Sequence, residues 1–147
     1  MYENTLANVS PVWNRYTNII IDHALGANVY DISGKKYMDF TSGIGVTSTG
    51  HCHPKVVAAI QEQAGQLLHG QFNIYFHKPL LNLIEALRPI VPPGLDSFYF
   101  TNSGAECIEA SVKLAKHATG RTNVSVFNGS FHGRTHLTMT MSTSKNT

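Results

Sequence analysis

The sequence predicts an α/β fold, and three observations predict it. A short apolar run, Phe98-Tyr99-Phe100, is followed at once by Ser103-Gly104-Ala105-Glu106, the pattern of a capping box that opens a helix. The helix so opened places Ile108, Val112 and Ala115 at core-facing spacing, and it leads through Thr119-Gly120 to a second strand at residues 122–127. Upstream, β-branched runs broken by Gly-containing turns precede two further stretches of helical periodicity. With 147 residues, 42% of them hydrophobic, the chain has the size and apolar content of one domain.

The elements follow in order. Met1 to Asn18 is polar with scattered aromatics, Trp13 and Tyr16, and Pro11 disfavours helix at Ser10; it reads either as an arm that packs on something else or as a frayed terminus. From Ile19 the runs IIID, ANVYDI and YMDF give three short extended segments, a small antiparallel meander whose second turn spans Asp31 to Gly34. The stretch TSGIGVTSTGHCHP holds three glycines and five Ser or Thr residues without either periodicity. It is a loop, running close to something or serving as a surface linker. Pro54 then opens a helix with Val57, Ile60, Ala64, Leu67 and Leu68 on one face and Gly70 as its expected C-cap. An aromatic loop around Phe72, Tyr75 and Phe76 leads to a second helix, Leu80 to Ile90, stopped by Pro89 and the Pro92-Pro93-Gly94 run.

Composition narrows the function. Net charge is +2 and the 11 basic residues are dispersed, so no stripe for nucleic acid appears. The two cysteines, Cys52 and Cys107, lie far apart and outside any CxxC pair, which argues against a disulfide framework or zinc ribbon and for a reducing compartment. No membrane-length apolar run and no basic start followed by an apolar segment occurs, so a soluble, cytoplasmic protein is expected. His51 with His53, and His132 with His136, invite a metal reading, but no Asp or Glu lies beside either pair and no metal is expected.

Two turns at the carboxyl ends of the two expected strands carry the chemistry. At Ser103-Gly104-Ala105 a helix start aims unpaired N–H groups and the positive dipole end at one spot, with no side-chain bulk to keep a phosphate away. Capping boxes also open many helices that bind nothing. After the second strand, Asn128-Gly129-Ser130-Phe131-His132-Gly133-Arg134 could lay Phe131 on an aromatic ligand and present Arg134 to a carboxylate; a core aromatic and a solvated charge are the alternatives.

Together, YMDFTSGIGV, GHCHPKVVAAI, FTNSGAECIEASVKLAK and FNGSFHGRT resemble, in order and spacing, the N-terminal part of class III aminotransferases, pyridoxal-phosphate enzymes that include 4-aminobutyrate, acetylornithine and ornithine aminotransferases. The resemblance implies the aspartate aminotransferase-type fold (fold type I). Residues 1–50 would form an N-terminal arm and small-domain β-meander, and residues 51–147 the start of the large α/β domain with its sheet incomplete. It implies that Ser103, Gly104 and Ala105 hold the cofactor phosphate and that Phe131 stacks on the pyridine ring beside His132. It implies too that Arg134 binds a substrate carboxylate and that Ile44 and Asn73 line the substrate pocket. It further implies a homodimer with active sites at the subunit interface, the aromatic loop near it, acting on an amino donor and a 2-oxo acid.

The chain departs from the family pattern at its end. Neither the aspartate that pairs with the pyridine nitrogen nor the Schiff-base lysine is expected among Met1–Thr147, and Lys113, Lys116 and Lys145 do not match the lysine's position. The expectation is therefore a fragment without transaminase activity of its own, whose two strands are not neighbours in the family's sheet and would lack partners. A non-catalytic phosphate-binding or dimerisation module is the alternative.

Overall fold

The computed structural model describes residues 2–13 and 15–144. The chain is mixed α/β and divides into two compact units, Met1–Tyr75 and Phe76–Thr147. Of the expected N-terminal arm, Met1 and Asn14 lie outside the described residues; within the rest, Glu3–Leu6 forms a single helical turn, α1.

The meander forms as the sequence predicts. Strands β1 (Ile21–Leu25), β2 (Asn28–Asp31) and β3 (Lys36–Met38) pair antiparallel in the order β1-β2-β3. The β1–β2 turn places Gly26 at φ 60, and the second turn places Gly34 at φ 83. Asp31 organises that second turn: its Oδ1 accepts hydrogen bonds from the Ser33 amide (2.9 Å), the Ser33 hydroxyl (2.6 Å) and the Lys35 amide (3.0 Å), while Oδ2 accepts from the Tyr37 hydroxyl (2.9 Å). These donors, the Ser33 hydroxyl foremost, lower its pKa from 3.8 to about 2 against the opposing effect of burial.

After the one-turn α2 (Ser42–Gly45), α3 runs Pro54–Ala64 and is capped by Gly65, not Gly70. The correction has a local cause. Gly65 and Gln66 donate one residue short of helical spacing, to Glu62 and Gln63, and the Gln63 side-chain amide takes the Leu67 carbonyl that a longer helix would have used. The expected apolar face is also not covered: Ile60 and Leu68 are exposed.

In the second unit α4 spans Lys78–Leu87, starting two residues before Leu80 with Pro79 in its first turn, and stopping before Pro89. Helix α5 runs Gly104–Thr119 and ends on Gly120 in the left-handed region (φ 69), where the sequence put it. A short helix, α6 (His136–Met141), was not foreseen; its Thr135 N-cap and Thr138 exchange capping hydrogen bonds.

Neither expected strand of this unit forms. Residues 98–101 and 122–127 carry no strand assignment, and instead of being buried Tyr99 is 77% and Phe127 86% exposed. Residues 98–100 keep the two-residue alternation of an extended chain, since the Phe98 and Phe100 rings stack at 6.3 Å. What they lack is a ladder partner. Among the described residues Val112 and Met141 are the hydrophobic side chains that reach burial, and Thr138 is fully buried.

The exposed area measures how little is packed. The chain presents 12739 Å² to solvent. A compact body of its mass would present about 7,400 Å², and two separate bodies of half that mass about 9,000 Å².

Candidate functional site

The best-packed part of the second unit surrounds the start of α5. Ser103 is extended (φ −148, ψ 157), and its Oγ accepts the Glu106 amide at 3.3 Å. The Glu106 carboxylate reaches back to accept the amides of Asn102 (2.6 Å) and Ser103 (3.1 Å). The capping box therefore occupies the amides on either side of Gly104 and Ala105, whose own N–H groups have no acceptor within a helix. A Cβ built on Gly104 meets nothing within 4 Å.

A second wall closes on this helix start. Gly133 is buried at φ +132, and a Cβ there would lie 2.6 Å from Ala105 Cβ and 2.7 Å from Thr138 Oγ1. Only glycine permits that approach. Side-chain bonds hold it: the Thr135 hydroxyl donates to Glu109 Oε1 on α5 (2.6 Å), the Thr135 amide donates to Thr138 Oγ1 (3.0 Å), and the His132 amide donates to Ser142 Oγ (3.0 Å).

The two walls bound a cavity of about 530 Å³ lined by Gly104, Ala105, Cys107, Ile108, Phe131, His132, Gly133 and Arg134. Five of the sequence-predicted site residues, Gly104, Ala105, Phe131, His132 and Arg134, thus share one cavity, with Ser103 adjoining as the N-cap. Phe131 is half exposed, Arg134 is exposed, and the Arg134 guanidinium carbon lies 5.9 Å from the Phe131 ring centroid. The arrangement fits a phosphorylated aromatic ligand: donors and a dipole for the phosphate, an open face at Gly104, an exposed ring opposite. Among the described residues no lysine lines this cavity. Lys113 and Lys116 line a different one with Tyr99, Asn102 and Glu106, and Lys145 lies outside the described residues.

Ile44 and Asn73 belong to the other unit. Asn73 is exposed in a turn closed by the Ile74 amide donating to the Gln71 carbonyl (2.9 Å). Ile44 sits in α2, which is a left-handed turn: φ is 47 at Ser42, 59 at Gly43, 60 at Ile44 and 83 at Gly45. For Ser42 and Ile44 this backbone costs about 1–2 kcal/mol each. Ile44 is nonetheless 94% exposed, so no packing offsets the strain.

Sequence reasoning missed what holds that turn. Asp39 Oδ1 accepts from the Thr41 amide (2.8 Å), the Thr41 hydroxyl (2.6 Å) and the Ser42 amide (3.2 Å), and Oδ2 pairs with His51 Nε2 at 2.7 Å. The Thr41 hydroxyl and then His51 hold the Asp39 carboxyl well below the usual range, against burial. The expectation that no acid accompanies the histidine pairs is thereby corrected at His51. The only available signal was Asp39-x-Thr41, a pattern for a local carboxylate turn; the partner twelve residues on had none. Among the described residues no group of three His, Cys, Asp or Glu gathers as a metal would need.

A family model described as Aminotransferase class-III matches residues 9–147. The chain is 46% identical over 124 residues to a 2-aminoadipate transaminase of Pseudomonas putida, covering 84% of this chain and 30% of that protein. To an acetylornithine aminotransferase of Archaeoglobus fulgidus it is 44% identical over 117 residues, covering 80% and 30%. A phospholyase from Arthrobacter, solved in complex with phosphoethanolamine, superposes with a TM-score of 0.84 at 27% identity, over 98% of this chain and 34% of that one. The chain spans about 30% of the length of the curated relatives it matches.

Proposed function

The chain belongs to the class III aminotransferase family, a pyridoxal-phosphate-dependent family, and on that premise we propose that residues 103–105 and 131–134 are the cofactor and carboxylate site of a transaminase. The observation that carries the reading is the cavity in which an open helix start faces Phe131, His132 and Arg134. When bound, pyridoxal phosphate supplies the electron sink through which an amino group passes from an amino acid or ω-amino acid donor to a 2-oxo acid.

The chain's own residues bind and orient. The Gly104 and Ala105 amides, the Ser103 hydroxyl and the α5 dipole hold a phosphate dianion without desolvating an unpaired charge. Phe131 offers a face to the pyridine ring, flanked by His132, and the planar Arg134 fork takes a substrate carboxylate by two parallel hydrogen bonds. Ile44 and Asn73 line the substrate pocket, residues 1–50 serve as arm and small-domain meander, and the protein acts in the cytoplasm as a homodimer. The lysine that carries the cofactor covalently and moves the substrate proton is not among the residues lining this cavity.

Gly104→Val tests the cradle. A Cβ there meets nothing within 4 Å beyond its chain neighbours and its own helix backbone, so the melting temperature should hold. Affinity for pyridoxal phosphate should nevertheless fall at least tenfold, because the branched side chain fills the phosphate's approach. Unchanged affinity would remove Gly104 from the cradle. The alternative is a phosphate-binding module that is not a catalyst. Cofactor bound stoichiometrically by the holoprotein but released intact after borohydride treatment would select it.

A further inference from the structure

The exposed, strained Ile44 has no internal reason to be where it is. A β-branched residue at positive φ is uncommon, and such geometry persists only where its surroundings over-determine it. Here they do so through one carboxylate. Asp39 Oδ1 gathers both amides that enter the left-handed turn, and Oδ2 grips His51, the residue at the far end of the 41–51 loop. The side chains of the pair are mostly buried, 11% exposed for Asp39 and 24% for His51.

His51 is itself tied to the meander. Its amide donates to the Gly26 carbonyl (2.8 Å) and its carbonyl accepts the Gly26 amide (2.9 Å), an isolated antiparallel bridge onto the β1–β2 turn. Gly50, at φ +80, permits the approach, since a Cβ there would stand 3.1 Å from the Gly26 carbonyl oxygen. Inside the loop the Ile44 amide donates to the Thr41 carbonyl (2.8 Å) and the Val46 amide to the Ser42 carbonyl (2.9 Å). Both bonds end on carbonyls of residues whose amides Asp39 holds. The loop is thus closed at its base by Asp39 and His51 and wound between them so that Ile44 is presented outward on a rigid turn.

We propose that the Asp39–His51 clasp is a positioning device for substrate selection: it holds the Ser42–Gly45 turn left-handed and so fixes where Ile44 meets the amino donor. This rests on the reading of Ile44 as a substrate-pocket residue. Asp39 touches no reacting atom and acts through Ile44. Its loss lets the turn relax to ordinary backbone and withdraws the isoleucine, which changes discrimination between donors more than turnover itself.

The test is a double-mutant cycle in the active holoenzyme carrying these residues, with L-glutamate and 4-aminobutyrate as donors and the ratio of their kcat/KM values as the readout. Ile44→Ala should shift that ratio about tenfold, the scale of a change in one apolar contact. Asp39→Ala should shift it in the same direction and to a similar extent. The double variant should shift it no further than either alone, because both changes remove the same contact. Asp39→Asn, which keeps the acceptor for Thr41 and Ser42, should restore part of the wild-type ratio, and it stands in should Asp39→Ala fail to fold.

The outcomes separate the two readings. An unchanged ratio for Ile44→Ala sinks the pocket assignment of Ile44. A shifted ratio for Ile44→Ala with none for Asp39→Ala or Asp39→Asn overturns the clasp alone. Equal losses of kcat for both donors in the Asp39 variants, or shifts that add in the double variant, overturn it too, since a merely structural residue would give them.

Discussion

Two carboxylates in this chain each collect the amides that enter a turn, and the contrast between them separates local from distant determination of structure. Glu106 accepts the Asn102 and Ser103 amides and starts the right-handed helix α5. Asp39 accepts the Thr41 and Ser42 amides and starts a left-handed turn. Every partner of Glu106 lies within four residues of it, so the capping box was legible as a pattern. Asp39 completes its role only through His51, brought to it by a bridge across the β1–β2 turn. The first carboxylate opens a helix that composition already favours, whereas the second holds a conformation that the chain would not otherwise take.

The largest effect is expected at the wall facing α5. Gly133→Ala would press a Cβ into Ala105 and Thr138 at a positive φ, and unfolding in urea should show a loss of about 3 kcal/mol in the second unit. The hydrogen-exchange protection of the Thr41 and Ser42 amides should be untouched, since Asp39 supports them from within the first unit. Loss of protection in both places would show that the two carboxylates do not act independently.

Next in size is Arg134→Lys. A point charge cannot reproduce the planar fork, so KM for carboxylate substrates should rise about tenfold in the active enzyme with kcat nearly kept. An unchanged KM would leave Arg134 as the solvated charge that its exposure allows. Ser103→Ala removes the acceptor of the Glu106 amide and should cost about 1 kcal/mol of stability, read from the shift in urea midpoint. A larger loss would mean that the hydroxyl has partners beyond the capping box.

Acid gives the smallest effect and acts on two carboxylates of the first unit. Both Asp31 and Asp39 are held below their usual pKa in the fold, so the stability they contribute is present above the ordinary carboxylate value of 3.8 and lost as pH falls through the lowered values. Protection of the Ser33 and Lys35 amides, and of the Thr41 and Ser42 amides, should therefore persist below the ordinary carboxylate range and fade only in stronger acid. Loss of either at the ordinary value of 3.8 would contradict the lowered pKa values.

What the sequence made legible follows the same division. The meander, the capping box and the Gly120 cap depend on neighbours a few residues away, and each appears where its pattern put it. The runs at 98–101 and 122–127 had the composition of strands, but a strand is a property of a pair, and neither finds a partner among the described residues. Gly65 ended α3 before Gly70 because side-chain and backbone bonds at Gln63 competed with the apolar repeat. Helix α6 escaped notice because Thr138, rather than a Glu or Gln, completes its capping box. The candidate site was legible in residue types at both turns. Their mutual approach, which the resemblance implied by giving both turns one cofactor, has no local pattern behind it, because it rests on the Gly133 contact with Ala105 and on the Thr135–Glu109 bond across twenty-six positions.

On the proposed reading, the start of α5 and the Phe131–Arg134 turn form one cradle for a phosphorylated pyridine. An amide-resolved NMR titration with pyridoxine 5′-phosphate, which has no aldehyde to react with surface lysines, tests it most directly. Saturable shifts at Gly104 and Ala105 together with Phe131 and Gly133 are expected, and the first two should vanish with unphosphorylated pyridoxine. Shifts confined to one wall, or equal with and without the phosphate, would contradict the claim.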